Sequence, residues 1–205
     1  QALIETSFRP PSLAEYKAVL TTAGQPQGAG DVKAIILAEL EALQKRLRGD
    51  PLNPVDNFYR DDGTPKAENE CRDQMLLLLG NNLPFGIQAP AEVSMPRGRR
   101  SDGAFTFGKL LVPLECKGQW HKEVWTAASS QLENYYSIHH QAAEKGIYVV
   151  FWFGPHVPKG KKLKAPPKHF ARPSTSNDMK LALQAALLGS KRNEVSIVVL
   201  DLAKL

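Results

Sequence analysis

The run GIYVVFWFG, residues 146–154, constrains the fold of this 205-residue chain more than any other feature. Seven consecutive apolar residues lie between Gly146 and Gly154, which is the pattern of a strand that is buried on both faces. A strand of this kind needs a sheet with helices on both sides. The run therefore predicts an α/β fold in which residues 146–154 form a central strand.

Further elements are predicted on both sides of this strand. The order along the chain is helix, three strands, helix, strand, helix and strand, which gives a central mixed sheet flanked by helices. The segments are AENECRDQMLLLLG, GIQAPAEVSM, SDGAFTFG, KLLVPLECK, a helix from Lys122 to about Glu144, the central strand, NDMKLALQAALLG and EVSIVVLDL.

A helical section precedes this order. Its apolar residues recur at steps of three and four, and Gly49 ends the run. The next stretch, DPLNPVDNFYRDDGTPK, is rich in Pro, Asp and Gly and is typical of a connector. We predict an N-terminal helical section and linker at 1–60 and a second domain at 61–205, and we expect a fragment from about Asp61 to fold alone. The predicted buried stripe of the helix is Ile35, Leu37, Leu40, Leu43 and Leu47.

The positive charge of the chain is concentrated in two places, although the net charge is only +5. Residues 156–172 contain six Lys and Arg residues and no acid. Clustered positive charge favours nucleic acid as a partner, while a solvated loop is the plain alternative. The candidate nucleic-acid-binding residues are Lys159, Lys161, Lys162 and Lys164 in this run and Arg97, Arg99 and Arg100 before the second strand.

The cellular location is predicted from what the sequence lacks. No run approaches the roughly 18 to 20 apolar residues of a membrane span, and the two cysteines form no disulfide framework or zinc motif. We expect a cytoplasmic protein that does not bind membranes. Because the first residue is Gln1, we also expect the chain to be a piece of a longer protein.

The strand VPLECKGQW carries the candidate chemistry. Alternation places Val112, Leu114 and Cys116 on one face of the strand, and Glu115 and Lys117 on the other. The preceding strand carries Asp102, so two carboxylates and one ammonium are expected on adjacent strands. Carboxylates this close repel unless a cation lies between them, and oxygen ligands select Mg²⁺ or Mn²⁺.

This set of groups suits phosphodiester hydrolysis, with Lys117 orienting or helping to deprotonate the attacking water. An ordinary surface ion pair between Glu115 and Lys117 is the alternative interpretation. Trp120 lies in the loop that follows the strand, and both core packing and a base contact remain open for it.

Together these motifs resemble the PD-(D/E)xK nuclease superfamily, in the RecB-like branch with its QxxxY signature. The resemblance rests on Glu68 in the helix, Asp102 in RRSDGAF, Glu115 and Lys117 in VPLECKGQW, and Gln131 and Tyr135 in QLENYY. It implies a restriction-endonuclease-like αβββαβ core. More narrowly, the chain is similar to C-terminal nuclease domains of large bacterial proteins of phage defence. Ser101 departs from the pattern, which has proline before the first aspartate.

The resemblance also implies roles for individual residues. Asp102, Glu115 and the main-chain carbonyl of Cys116 would be metal ligands, and Lys117 would hold the water. Glu68 shares a predicted helix face with buried residues and would reach the metal directly or through a water, whereas Glu70 is expected to face solvent. Gln131 and Tyr135 would flank the site from the next helix.

The expected function is therefore Mg²⁺- or Mn²⁺-dependent cleavage of DNA by the effector domain of a larger bacterial anti-phage protein, together with upstream domains or partner subunits. Two alternatives remain open. The first is a catalytically silent domain of the same fold that binds nucleic acid or docks a partner. The second is a toxin domain that cleaves RNA, because phosphate contacts do not distinguish RNA from DNA.

Overall fold

The computed structural model describes residues 24–95, 98–130, 132, 141–187 and 194–204. It has the predicted α/β architecture, with a mixed five-stranded sheet covered by helices. The helices are α1 (Ala29–Gly49), α2 (Glu68–Gly80) and α3 (Ser176–Ala186). In the described segments, no helix combines the length and the apolar character that a membrane crossing requires.

The sheet contains β1 (Ala91–Met95), β2 (Arg99–Phe107), β3 (Leu110–Gly118), β4 (Gly146–Trp152) and β5 (Val195–Asp201), in that spatial order. β1, β2 and β3 pair antiparallel, whereas β3, β4 and β5 pair parallel. Pairing between β2 and β3 extends up to Gly103 and Leu114, and the last residues of β3 continue beyond it. The carboxyl end of β3 therefore has an edge that β2 leaves uncovered.

The predicted central strand is confirmed, since every residue of β4 is buried. One face of the sheet packs against α1 and α2 through residues such as Leu114, Cys116 and Phe151. The other face packs against α3 and the residues after β3, through Tyr148, Val150 and Trp152. The continuous apolar run thus supplies side chains to two separate layers of the core.

Helix α1 belongs to the first of these layers. Its buried residues are Val32, Ile36, Leu40, Leu43 and Leu47, whereas Ile35 and Leu37 are only partly buried, so the predicted stripe was wrong in its first half. The buried residues of α1 share one hydrophobic cluster with β3 and β4. The amide of Gln44 also bonds the main-chain N–H and C=O of Asp201 in β5. This packing argues against the expectation that a fragment from Asp61 folds alone.

The connection between β3 and β4 differs from the predicted helix at 122–144. Residues 122–126 form turns, and helical turns of the π type follow from Ala127 to Ser130 and at Leu132. The rest of the predicted helix up to residue 140 lies outside the described residues. Near the start of the sheet, the predicted strand at 86–95 is shortened to β1, with a 3₁₀ turn at Pro84–Gly86 before it.

Candidate active site

Two residues of β3 place charge inside the second layer of the core. Glu115 is 1% exposed and Lys117 is 5% exposed. The ammonium of Lys117 donates directly to Oε1 of Glu115. The pair is therefore not the exposed surface ion pair that was the alternative interpretation, because both charged groups are removed from water.

Asp102 reaches the same point from β2. Its Oδ2 accepts a hydrogen bond of 2.8 Å from the N–H of Cys116 and lies 3.6 Å from Nζ of Lys117. The contact forms where the pairing of β2 with β3 has ended, so the carboxylate occupies a main-chain donor that a neighbouring strand would otherwise take. The predicted meeting of Asp102, Glu115 and Lys117 is present.

Glu68 completes the group from the first turn of α2. Its Oε2 accepts a hydrogen bond of 2.7 Å from the N–H of Gly118, and its Oε1 lies 3.7 Å from Nζ of Lys117. Glu70 instead pairs with Arg60 at 2.6 Å and accepts from the N–H of Ala67. The structure thus brings Glu68, and not Glu70, to the group, as the helix-face argument predicted. We call Glu68, Asp102, Glu115 and Lys117 the charged cluster.

The main chain of β3 explains the spacing of the two outer carboxylates. In an extended strand the N–H and C=O of one residue point to the same edge, and alternate residues share that edge. The N–H groups of Cys116 and Gly118 both point to the uncovered edge, where Asp102 and Glu68 accept from them. The carbonyl of Cys116 points to this edge as well, between the two carboxylates.

Burial sets the protonation of the charged cluster. It raises the pKa of Glu115 to about 8, with a further contribution from the charge of Asp102. Burial likewise raises the pKa of Glu68, against the attraction of Lys117. For Lys117, burial favours the neutral amine, but the charges of Glu115 and Asp102 outweigh it and raise the pKa. Lys117 is therefore a fixed ammonium at neutral pH, and the carboxylates compensate it.

The donor chemistry of the charged cluster fits a hard divalent cation, since three carboxylates and one carbonyl supply only oxygen. In the described part of the chain, no three Asp, Glu, His or Cys side chains are grouped tightly enough to ligate one ion. The ammonium of Lys117 lies between the carboxylates instead. A cation that binds here would take over contacts that Lys117 now makes.

Sequence reasoning did not assign a role to Arg72. This residue of α2 is only 8% exposed and lies 2.8 Å from Asp73, 3.7 Å from Glu92 and 3.9 Å from Oδ1 of Asp102. Its guanidinium compensates the side of Asp102 that faces away from Lys117. The available signal was an arginine on the apolar face of α2, between Cys71 and Met75.

A second missed residue, Gln119, connects the charged cluster to the lysine run. Its side chain is fully buried, accepts from the N–H of Phe153, and donates to the carbonyls of Gly154 and His156 at 2.8 and 2.9 Å. Its own carbonyl accepts from the N–H of Lys164. These bonds hold the start and end of the run beside the end of β3. Lys159, Lys161, Lys162 and Lys164, which we call the basic loop, are all exposed.

The remaining predicted residues contribute less. Arg100 is exposed and pairs with Glu92 at 3.3 Å, two residues before Asp102 on β2. The backbone of Arg99 begins β2. Gln131, Tyr135 and Arg97 lie outside the described residues, so their predicted roles stay predictions.

Comparison with protein families gives one match. Residues 35–155 match a family described as Domain of unknown function (DUF8371). The matched segment is more than half of the chain and contains the whole charged cluster. No curated protein and no solved structure matches the chain.

Proposed function

We propose that this chain, which belongs to the DUF8371 family, is a divalent-metal-dependent nuclease that hydrolyses phosphodiester bonds of DNA. One observation carries the proposal: a buried lysine meets three carboxylates from three separate elements at the uncovered edge of β3. Burying four charged groups together costs stability unless function requires it. A structural role alone would be filled as well by apolar residues.

We further propose that the chain is a member of the PD-(D/E)xK superfamily. The antiparallel β1–β3 unit followed by parallel β4 and β5 supports its αβββαβ core, and Glu68, Asp102, Glu115 and Lys117 occupy the matching positions. Ser101, in the place of the proline, is buried and bonds the carbonyl of Gly103. It therefore keeps β2 in place without touching the charged cluster.

The proposed cofactor is Mg²⁺ or Mn²⁺. Asp102, Glu115 and the carbonyl of Cys116 would hold it, with Glu68 acting directly or through a water. A divalent cation bound here supplies positive charge to the phosphate and makes a bound water more acidic. Arg72 keeps Asp102 oriented through its contact with Oδ1.

Lys117 acts on the reacting groups as a hydrogen-bond donor. Because its pKa is raised, it stays charged and is suited to orient the attacking water or to stabilise the negative charge on the phosphate oxygens. A base role for Lys117 is disfavoured for the same reason. Of the two roles that the sequence leaves open for this lysine, orienting the water is the one that its charge state supports.

DNA is the proposed substrate, with RNA as the variant of the same chemistry. The basic loop supports a polyanionic partner, since it is exposed and Gln119 ties it to the strand that carries Glu115 and Lys117. We propose that the nuclease serves as the effector of a larger bacterial defence protein, with upstream domains or partner subunits that control it.

A second function is favoured by one observation. Lys117 already neutralises the carboxylates, and no three acidic, histidine or cysteine side chains within the described residues are grouped as metal ligands. A catalytically silent domain that binds nucleic acid through the basic loop would have the same arrangement. Cleavage assays separate the two functions.

The test compares the whole chain with Asp102→Ala and Glu115→Ala on supercoiled plasmid, linear duplex, single strands and RNA, with Mg²⁺ and with EDTA. Cleavage should require Mg²⁺ and fall by at least about 100-fold in both variants, since each removes a proposed ligand. Glu70→Ala is the matched control, because Glu70 is an acid of α2 outside the charged cluster. Full activity of both variants, or activity in EDTA, would contradict the proposal.

A further inference from the structure

A cleft of about 600 Å³ opens beside the charged cluster. Glu68 lies on one side of it, and Trp120, from the loop after β3, lies on another. Asn69, His121, Lys122, Pro158 and Lys161 complete its lining. The cleft is thus continuous with the proposed reaction site and combines an aromatic ring with two cations.

The indole of Trp120 is fixed in this position. A Cβ atom on Gly118 would lie 2.5 Å from the ring carbons Cε2 and Cζ2, so the indole rests directly on the backbone of Gly118. The ring of Phe153 packs against it with a centroid distance of 5.6 Å. Glycine at position 118 therefore allows an aromatic ring to lie one residue from Lys117 without loss of the β3 backbone.

The cations of the cleft come from both sides of it. Lys122 follows Trp120 in the chain, and Lys161 belongs to the basic loop; both are exposed. A turn in which the N–H of Lys161 donates to the carbonyl of Pro158 at 3.0 Å places these two residues on the same rim. A ligand with one flat apolar part and one anionic part matches this lining.

We propose that the cleft binds one unpaired nucleotide next to the phosphate that is cleaved. The base packs on Trp120, and Lys122 and Lys161 bind its flanking phosphates. The volume lies in the range of small-ligand sites, roughly 300 to 1,000 Å³. A base inside a protein cleft cannot remain stacked in a duplex. The inference rests on the proposed nuclease function and assigns its substrate class: single strands, flaps or frayed ends in preference to intact duplex.

The test measures binding of the whole chain in EDTA, so that no cleavage occurs. The probes are a labelled dT₁₂ strand, a 12-residue strand with the same phosphates and no bases, and a blunt 12-base-pair duplex. Stacking on one aromatic ring predicts that Trp120→Ala binds dT₁₂ about 5- to 150-fold more weakly. Its binding to the duplex and to the abasic strand should stay within twofold, and Trp120→Phe should restore most of the dT₁₂ affinity.

A role of Trp120 in folding alone would weaken all three probes equally, and that result would overturn the subsite. An unchanged dT₁₂ affinity in Trp120→Ala would overturn it as well. Should Trp120→Ala not fold, as judged by its thermal transition, the whole chain itself decides: dT₁₂ must bind at least about fivefold more tightly than the abasic strand.

The binding test is independent of catalysis. If the subsite is present and Mg²⁺-dependent cleavage is absent, the nuclease proposal fails while the nucleotide site remains. If cleavage is present and dT₁₂ shows no advantage over the abasic strand, the subsite fails alone.

Discussion

Truncation of the buried face of α1 should destabilise the whole sheet, although α1 contains none of the charged cluster. Val32, Ile36, Leu40, Leu43 and Leu47 are between 0 and 3% exposed. At about 1.5 to 3 kcal/mol for each buried side chain, the five contribute roughly 7 to 15 kcal/mol. This is as large as the entire stability of an ordinary domain, about 5 to 15 kcal/mol. Removal of α1 should therefore unfold residues 61–205.

A single substitution measures the same packing in a folded protein. Leu40→Ala should cost about 2 to 5 kcal/mol, because it leaves a cavity where α1 meets the sheet. For a chain of this size, that loss lowers Tm by roughly 4 to 20 °C. Leu52→Ala is the matched control: Leu52 is 88% exposed in the turn after α1, and its loss should stay within about 0.5 kcal/mol.

Urea unfolding followed by two probes provides the assay. All three tryptophans, Trp120, Trp125 and Trp152, lie outside α1, so their fluorescence reports on the sheet, whereas circular dichroism also includes α1. If α1 and the sheet form one unit, the two transitions coincide and shift together in Leu40→Ala. Fluorescence that is unaffected by Leu40→Ala, or a fragment from Asp61 with a normal cooperative transition, would refute the reasoning.

Three further predictions concern the site. Replacing all four lysines of the basic loop by Gln should reduce the log–log salt dependence of DNA binding by about 0.9 for each phosphate that a lysine no longer neutralises, and an unchanged slope would make the loop a solvated one. The matched control replaces four exposed lysines elsewhere: Lys45, Lys109, Lys180 and Lys204. Gln119→Ala should release the carbonyls of Gly154 and His156, which increases trypsin cleavage in the basic loop and weakens DNA binding; unchanged proteolysis would contradict the anchoring role. Because burial raises the pKa of Glu115 to about 8, a cation must displace a proton below that pH, so Mn²⁺ affinity should rise from pH 6 to 8 by up to about tenfold per pH unit, and a flat profile would exclude Glu115 as a ligand.

Features that depend on the local pattern could be predicted from the sequence. Alternation in β3 separated Leu114 and Cys116 from Glu115 and Lys117, and the apolar run identified β4 as a strand buried on both faces. The helix period selected Glu68 over Glu70. In each case, the geometry of one element determines where its side chains point.

Features that depend on partners far away in the chain could not be predicted. In α1, Ile35, Ile36 and Leu37 are consecutive apolar residues, so periodicity alone does not decide which of them faces the sheet. Gln119 bonds residues 34 to 37 positions later, and no local pattern marks such partners. The same holds for the contacts of Arg72 with residues of β1 and β2.

The central claim is that the carboxylates around Lys117 bind a divalent cation, and a titration of the whole chain with Mn²⁺, followed by electron paramagnetic resonance, tests it most directly. The wild-type chain should bind Mn²⁺, and Asp102→Asn should lose that binding because a ligand of the site becomes neutral. Lys117→Met should keep the binding or strengthen it, since the ammonium no longer competes for the carboxylates. Equal binding by the wild-type chain and Asp102→Asn, or no binding by either, would contradict the claim.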